Sequence, residues 1–173
     1  LRSNEMKNET IPAEHGDEYK GELAANFSSN VWFEANHEGL YAHLTEKMPL
    51  IRRYPEEYNQ QLLAELGDHL QIDPDQLLLT NGTAEGIYLL AQAYRGSKSL
   101  IVTPTFSEYG KACQVHEHQM VSCSEASLET FLEKDLPDLV WICTPNNPDG
   151  YSFKLPVLEK LVKKYEHTLF IFD

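Results

Sequence analysis

Leu139-Val140-Trp141-Ile142-Cys143-Thr144-Pro145-Asn146-Asn147-Pro148-Asp149-Gly150 is the stretch that decides the fold, together with Leu169-Phe170-Ile171-Phe172-Asp173 some twenty residues further on. In each case an uninterrupted apolar run breaks abruptly into polar or turn-forming residues. Between the two runs, Leu158, Leu161, Val162 and Tyr165 recur at three- and four-residue spacing, which predicts an amphipathic helix. Strands that are continuously apolar, rather than alternating, are buried on both faces. A strand, a helix and a second such strand make a parallel crossover unit.

Working outward, the same alternation repeats. A helix is expected around Leu128 to Leu132, a strand near Met120-Val121 and a short helix from Tyr109 to Val115. Ser99-Leu100-Ile101-Val102 reads as a buried strand ended by Thr103-Pro104-Thr105. Ile87, Leu90, Ala91 and Tyr94 mark one face of a preceding helix. The apolar burst Leu77-Leu78-Leu79, closed by Thr80-Asn81-Gly82, reads as a further strand, and Leu62, Leu63, Leu66 and Leu70 define a helix led in by Tyr54-Pro55. Residues 1–50 are polar, broken by Gly and Pro, and predict an extended arm that packs onto something else. The expected fold is α/β: a doubly wound, mainly parallel sheet over 51–173, preceded by the arm.

Composition narrows the function classes. The 173 residues carry 14 Lys and Arg against 27 Asp and Glu, a net charge of −13. Duplex nucleic acid and anionic membranes both require a basic face, so neither is an expected partner. No apolar run approaches the roughly 18 residues of a membrane helix. The opening LRSNEMKNET lacks the basic-then-apolar order of a signal peptide, and the expected location is the cytoplasm. Three cysteines, Cys113, Cys123 and Cys143, form no CxxC pair, and Cys143 reads as a buried, inert thiol. The seven histidines lack HExxH spacing, so no metal site is expected.

Ligands of doubly wound sheets bind at the carboxyl ends of the strands. The segments that matter are therefore Asn81-Gly82-Thr83-Ala84-Glu85, Pro104-Thr105-Phe106, Thr144 to Gly150, and Asp173. Singly, each is ordinary: Asn-Gly and Asn-Pro-Asp-Gly are turns in any fold, and an Asp closing a strand is often a helix cap. A dinucleotide-binding reading fares worse, since Asn81-Gly82-Thr83-Ala84-Glu85-Gly86 is not GxGxxG.

In this order the segments resemble the fold-type-I, pyridoxal-phosphate-dependent aminotransferases, in the branch that holds histidinol-phosphate aminotransferase and threonine-phosphate decarboxylase. The resemblance runs from about His15 to Asp173. Its most specific element is Cys143 to Gly150, similar to the family's SPNNPTG segment, with Asp149 in place of the usual Thr, followed after one helix by the strand that ends in Asp173. It implies pyridoxal 5'-phosphate as cofactor, with Asp173 as partner of the pyridine nitrogen and Asn147 on the phenolic oxygen. It puts the phosphate on the amides of Thr83 and Ala84, and Phe106 against the ring. A carboxylate beside the ring nitrogen favours the protonated ring, the stronger electron sink. Phosphate suits a helix N-terminus, where Gly82 lets the backbone come close. Glu85, being anionic, is expected to point away from a phosphate and toward the helix dipole.

Tyr54 matches a tyrosine that the family sends across a dimer interface to the partner's phosphate, which implies a homodimer. His15-Gly16 and Asn26-Phe27-Ser28-Ser29-Asn30 resemble the decarboxylase-like branch and make Asn30 the candidate substrate contact. Val31-Trp32-Phe33 stands where the family usually has an Asn-Pro pair, a departure that bears on the substrate more than on the cofactor. The family's Schiff-base lysine and carboxylate-binding arginine lie downstream of Asp173. Lys154, Lys160, Lys163 and Lys164 all fall in or near the helix before the last strand and do not match the lysine. Residues 51–173 are then expected to be the first part of a cofactor-binding large domain in a longer enzyme. Transamination of an amino acid or its phosphate ester is the expected activity. Phosphothreonine-type decarboxylation and a non-catalytic ligand-binding member of the fold are the alternatives.

Overall fold

The computed structural model describes residues 32, 34–54 and 59–173. They fall into two compact units that divide between Leu79 and Thr80. The first unit holds helix α1 (Glu38–Lys47), a 3-10 turn (Met48–Arg52), helix α2 (Gln60–Leu70) and a second 3-10 turn (Pro74–Gln76). Helix α1 corrects the expectation of an extended arm for this stretch. It buries none of its residues, so no apolar stripe betrays it in the sequence. Helix α2 starts where the Asn59 side chain accepts from the Leu62 amide at 3.3 Å. Its inward side carries Leu63, Leu66 and the buried Gly67. A Cβ on Gly67 would stand 2.8 Å from the Ile72 carbonyl oxygen, so only glycine allows that approach.

Leu77-Leu78-Leu79 is the second correction. Leu77 is extended, at φ −109° and ψ 137°, but the run joins no ladder among the described residues, and Leu78 and Leu79 are exposed. An apolar run becomes a strand only with a neighbour to satisfy its backbone.

The second unit contains α3 (Gly82–Ala93), β1 (Lys98–Val102), α4 (Ser107–Val115), β2 (Gln119–Cys123), a 3-10 turn (Glu125–Ser127), α5 (Leu128–Lys134), β3 (Leu139–Ile142), α6 (Leu155–Lys164) and β4 (Leu169–Phe172). The four strands form one parallel sheet in the order β2-β1-β3-β4. Central β1 and β3 are almost wholly buried, whereas the edge strands β2 and β4 are partly exposed.

Both faces are covered, as a doubly wound sheet requires. Leu100, Val102, Val140 and Ile142 point to one face and pack with Leu128 and Leu132 of α5 and Leu158 and Leu161 of α6. Ile101, Leu139 and Trp141 point to the other, against Ile87 and Ala91 of α3 and Tyr109, Ala112 and Cys113 of α4. Each large side chain buried this way contributes on the order of 1.5–3 kcal/mol. The helices bury a narrower stripe than their periodicity predicts: Leu90, Tyr94 and Val162 are exposed.

A polar seam crosses the second face. The Trp141 Nε1–H donates to Ser99 Oγ at 3.2 Å, Ser99 Oγ lies 2.8 Å from His118 Nδ1, and His118 Nε2 lies 2.8 Å from the Ala91 carbonyl. A carbonyl only accepts, so Nε2 carries a proton and donates it to the Ala91 carbonyl, while Nδ1 faces the Ser99 hydroxyl. Ser99 and His118 are both buried, and the seam leaves these polar atoms satisfied while tying α3, β1, β3 and the residue that leads into β2 together. Among the described residues no helix is long and apolar enough to cross a membrane.

Candidate functional site

Because all four strands run the same way, the residues after β1, β3 and β4 emerge at one rim. The register sets Ile142 beside Phe172. The next residues are then clamped by the backbone: the Asp173 amide donates to the Ile142 carbonyl at 3.1 Å and the Thr144 amide to the Asp173 carbonyl at 2.8 Å. Thr103-Pro104-Thr105-Phe106 leaves β1 at the same rim and leads into α4.

The structure brings five of the predicted residues into one hollow of about 320 Å³. Thr83, Ala84, Phe106, Asn147 and Asp173 line it with Gly82 and Cys143. That volume lies at the lower end of small-molecule sites. Gly82 opens α3 at φ +78°, in the left-handed region that favours glycine. The Asn81 side chain makes no cap hydrogen bond to the helix. Glu85 instead bends back, accepting from the Asn81 amide at 2.5 Å and from Asn81 Nδ2 at 3.2 Å, and it does not line the hollow. The helix thus presents its positive end to the hollow, with the Glu85 carboxylate turned back onto Asn81 outside it.

Asp173 is exposed in this chain, and its carboxylate is held by a residue that sequence reasoning missed. Tyr109, buried in α4, donates its hydroxyl to Asp173 Oδ2 at 2.5 Å. Its ring is stacked on Trp141 at 5.7 Å and meets Phe106 edge-on at 5.8 Å. Burial, and then the bond to Asp173, push the Tyr109 phenol far above its usual range, so it acts only as a protonated donor. The available signal was the three-residue step from Phe106 to Tyr109, which places two aromatic rings on one side of a helix start.

The loop after β3 is stiffened by its own polar groups. Asn146 Nδ2 donates to the Pro104 carbonyl at 2.9 Å and to Asp149 Oδ1 at 2.8 Å. The Tyr151 amide donates to Asp149 at 2.9 Å, and the Phe153 amide to Thr144 Oγ1 at 3.1 Å. The Tyr151 amide first, then Asn146, holds the Asp149 carboxyl below the usual carboxylate range. Asp149 is thus an acceptor inside the turn, which accounts for its tolerance there. Cys143 is buried, its Sγ bonded to the Pro145 carbonyl at 3.3 Å, yet it also borders the hollow. Burial raises the Cys113 and Cys123 thiols, in keeping with inert cysteines.

A neighbouring hollow of about 210 Å³ has Glu125 and Asp149 on its wall. Two carboxylates make it a poor place for a phosphate. The larger hollow, with a helix N-terminus on one side and a single carboxylate on the other, suits a ligand that is anionic at one end and cationic at the other. Tyr54 belongs to the first unit and is 95% exposed. Asn30, with His15-Gly16 and the rest of the stretch from Asn26, lies outside the described residues.

A parallel sheet covered on both faces, with its loops converging at the carboxyl rim, places the chain among the α/β proteins that bind small ligands at that rim. More narrowly, the chain belongs to the aminotransferase class I and II family, whose family model matches residues 18–173. It is 31% identical, over 70% of its length and 35% of the relative's, to threonine-phosphate decarboxylase of Salmonella typhimurium. Histidinol-phosphate aminotransferase of Bacillus subtilis is 29% identical over 95% of this chain and 48% of that protein. Among solved structures, L-threonine-O-3-phosphate decarboxylase from Porphyromonas gingivalis superposes with a TM-score of 0.75 at 36% identity, covering 84% of this chain and 46% of that one. The fold also matches histidinol-phosphate aminotransferase from Sinorhizobium meliloti, a structure in complex with pyridoxal-5'-phosphate, at a TM-score of 0.72 and 15% identity, over 79% and 40% of the two chains. The chain spans about half or less of the length of these relatives.

Proposed function

We propose that this chain supplies the cofactor-holding part of a pyridoxal-phosphate-dependent aminotransferase that acts on an amino acid or an amino-acid phosphate ester. The observation that carries this reading is the common hollow, in which residues separated by up to ninety positions meet inside the region matched by the family. The residues present fit the group. The amides of Thr83 and Ala84 at the α3 N-terminus would hold the phosphate, and Phe106 would cover the ring. Asn147 would donate to the phenolic oxygen, and Asp173 would face the ring nitrogen. When bound, the cofactor serves as an electron sink for the bond broken at the amino acid's Cα. The Asp173 carboxylate would keep positive charge on the ring nitrogen, and the helix end would balance the phosphate, with Glu85 turned back onto Asn81. The Schiff-base lysine would come from residues outside these 173. Tyr54 of a second copy would complete the phosphate site in a cytoplasmic homodimer, and Asn30 would touch substrate.

In the complete protein, added pyridoxal phosphate is expected to bind and to give an absorption band at the edge of the visible. Asn147→Ala is expected to shift that band, because the phenolate loses a hydrogen-bond donor. A colourless protein that takes up no cofactor would remove the whole reading, and an unshifted band would remove Asn147 from the site.

Decarboxylation is a second reading, favoured by the 31% and 36% identities to two threonine-phosphate decarboxylases. Incubation with phosphothreonine separates the two: carbon dioxide release means decarboxylation, and amino-group transfer to a 2-oxo acid means transamination.

A further inference from the structure

We propose that Tyr109 is a positioning residue, which fixes the Asp173 carboxylate through a hydroxyl that is itself held by packing. The inference rests on the pyridoxal-phosphate reading and adds to it the means by which Asp173 is aimed. Three observations carry it. The Tyr109 hydroxyl lies 2.5 Å from Asp173 Oδ2, so one carboxylate oxygen has a fixed donor and the other is left for a ligand in the hollow. The Tyr109 ring is almost fully buried, stacked on Trp141 on one side and met edge-on by Phe106 on the other, so the hydroxyl has little freedom to wander. Trp141 is pinned in turn, its indole N–H on Ser99 and Ser99 on His118, which is anchored to the Ala91 carbonyl of α3. The same helix begins at Gly82 and Thr83 on the wall of the hollow. One contiguous set of contacts thus runs from the carboxylate to the helix whose N-terminus lies opposite it.

A carboxylate without a fixed partner would otherwise sample several rotamers, and a ligand would have to select one of them on binding. Tyr109 makes that selection in the folded protein before any ligand arrives.

The test is a double-mutant cycle on cofactor affinity, read by absorbance titration of the complete protein with pyridoxal phosphate. Tyr109→Phe is expected to weaken binding about fivefold. In an Asp173→Ala background the same change is expected to alter affinity less than twofold, since there is no side-chain acceptor left to aim. p-Aminophenylalanine at position 109, which keeps a donor in the same place, is expected to restore most of the loss. If Tyr109→Phe fails to fold, p-methylphenylalanine against p-aminophenylalanine reads the same difference at constant volume. An unchanged or tighter affinity in Tyr109→Phe would overturn the proposal. So would a loss of equal size in the Asp173→Ala background, which would mean that Tyr109 serves packing alone. Failure of the unmutated protein to bind pyridoxal phosphate is the separate result that removes the underlying reading, and this proposal with it.

Discussion

Asp173→Asn in the complete protein is expected to lower turnover by roughly tenfold to a thousandfold while the far-UV circular dichroism stays unchanged. The substitution keeps size and shape and removes only the charge. A nearby opposite charge moves a pKa by about 1–3 units, worth roughly 1.4 kcal/mol each, and the ring nitrogen would lose that support. The fold has no reason to change. Asp173 is clamped by its main chain, through its amide on Ile142 and its carbonyl on Thr144, and neither bond involves the carboxylate. Asn can still accept from Tyr109 through its amide oxygen. Charge is thus separated from position in this variant, whereas Tyr109→Phe disturbs position and keeps charge. Equal turnover in Asp173→Asn would exclude the carboxylate as partner of the ring nitrogen.

What the residue order reveals divides along physical lines. The central strands are legible because β1 and β3 are buried on both faces and must be apolar throughout; Leu139 to Ile142 needs no context. The rim loops are legible because turns demand Gly, Pro and Asn, whereas the roles expected of the five residues that meet in the hollow come from the family resemblance. Leu77-Leu78-Leu79 misleads because apolar character says nothing about whether a pairing partner exists. Helix α1 is hidden for the opposite reason, since a helix that buries nothing has no stripe to read. Tyr109 escapes because a helical aromatic three residues after Phe106 is as good a core residue as a site residue. What distinguishes it is a hydroxyl that meets a carboxylate 64 positions away. The seam through Ser99, His118 and Trp141 is equally invisible: Ser99 opens an apolar strand, and its partners lie 19 and 42 residues off. Contacts of that span arise from the topology, and no local pattern encodes them.

Trp141 joins this seam to the Tyr109 ring, and Trp141→Ala is expected to cost about 3–5 kcal/mol of folding stability. The side chain is fully buried at the centre of β3, between α3 and α4. Its loss opens a cavity under the sheet, removes the stacking partner of Tyr109 and takes away the donor to Ser99 Oγ. Against the 5–15 kcal/mol that typically separates folded from unfolded chains, this is about a fifth or more of the total. Trp141→Phe keeps an aromatic surface for Tyr109 and gives up only volume and the indole N–H. It should cost less than half as much, because Ser99 retains His118 as a partner and no buried donor is orphaned. Denaturant midpoints of the two variants, taken with the slope of each transition, measure the difference directly. If Trp141→Ala fell within about 1 kcal/mol of the parent, the second face of the sheet would not be the close-packed layer described here, and Tyr109 would have no rigid support from which to hold Asp173.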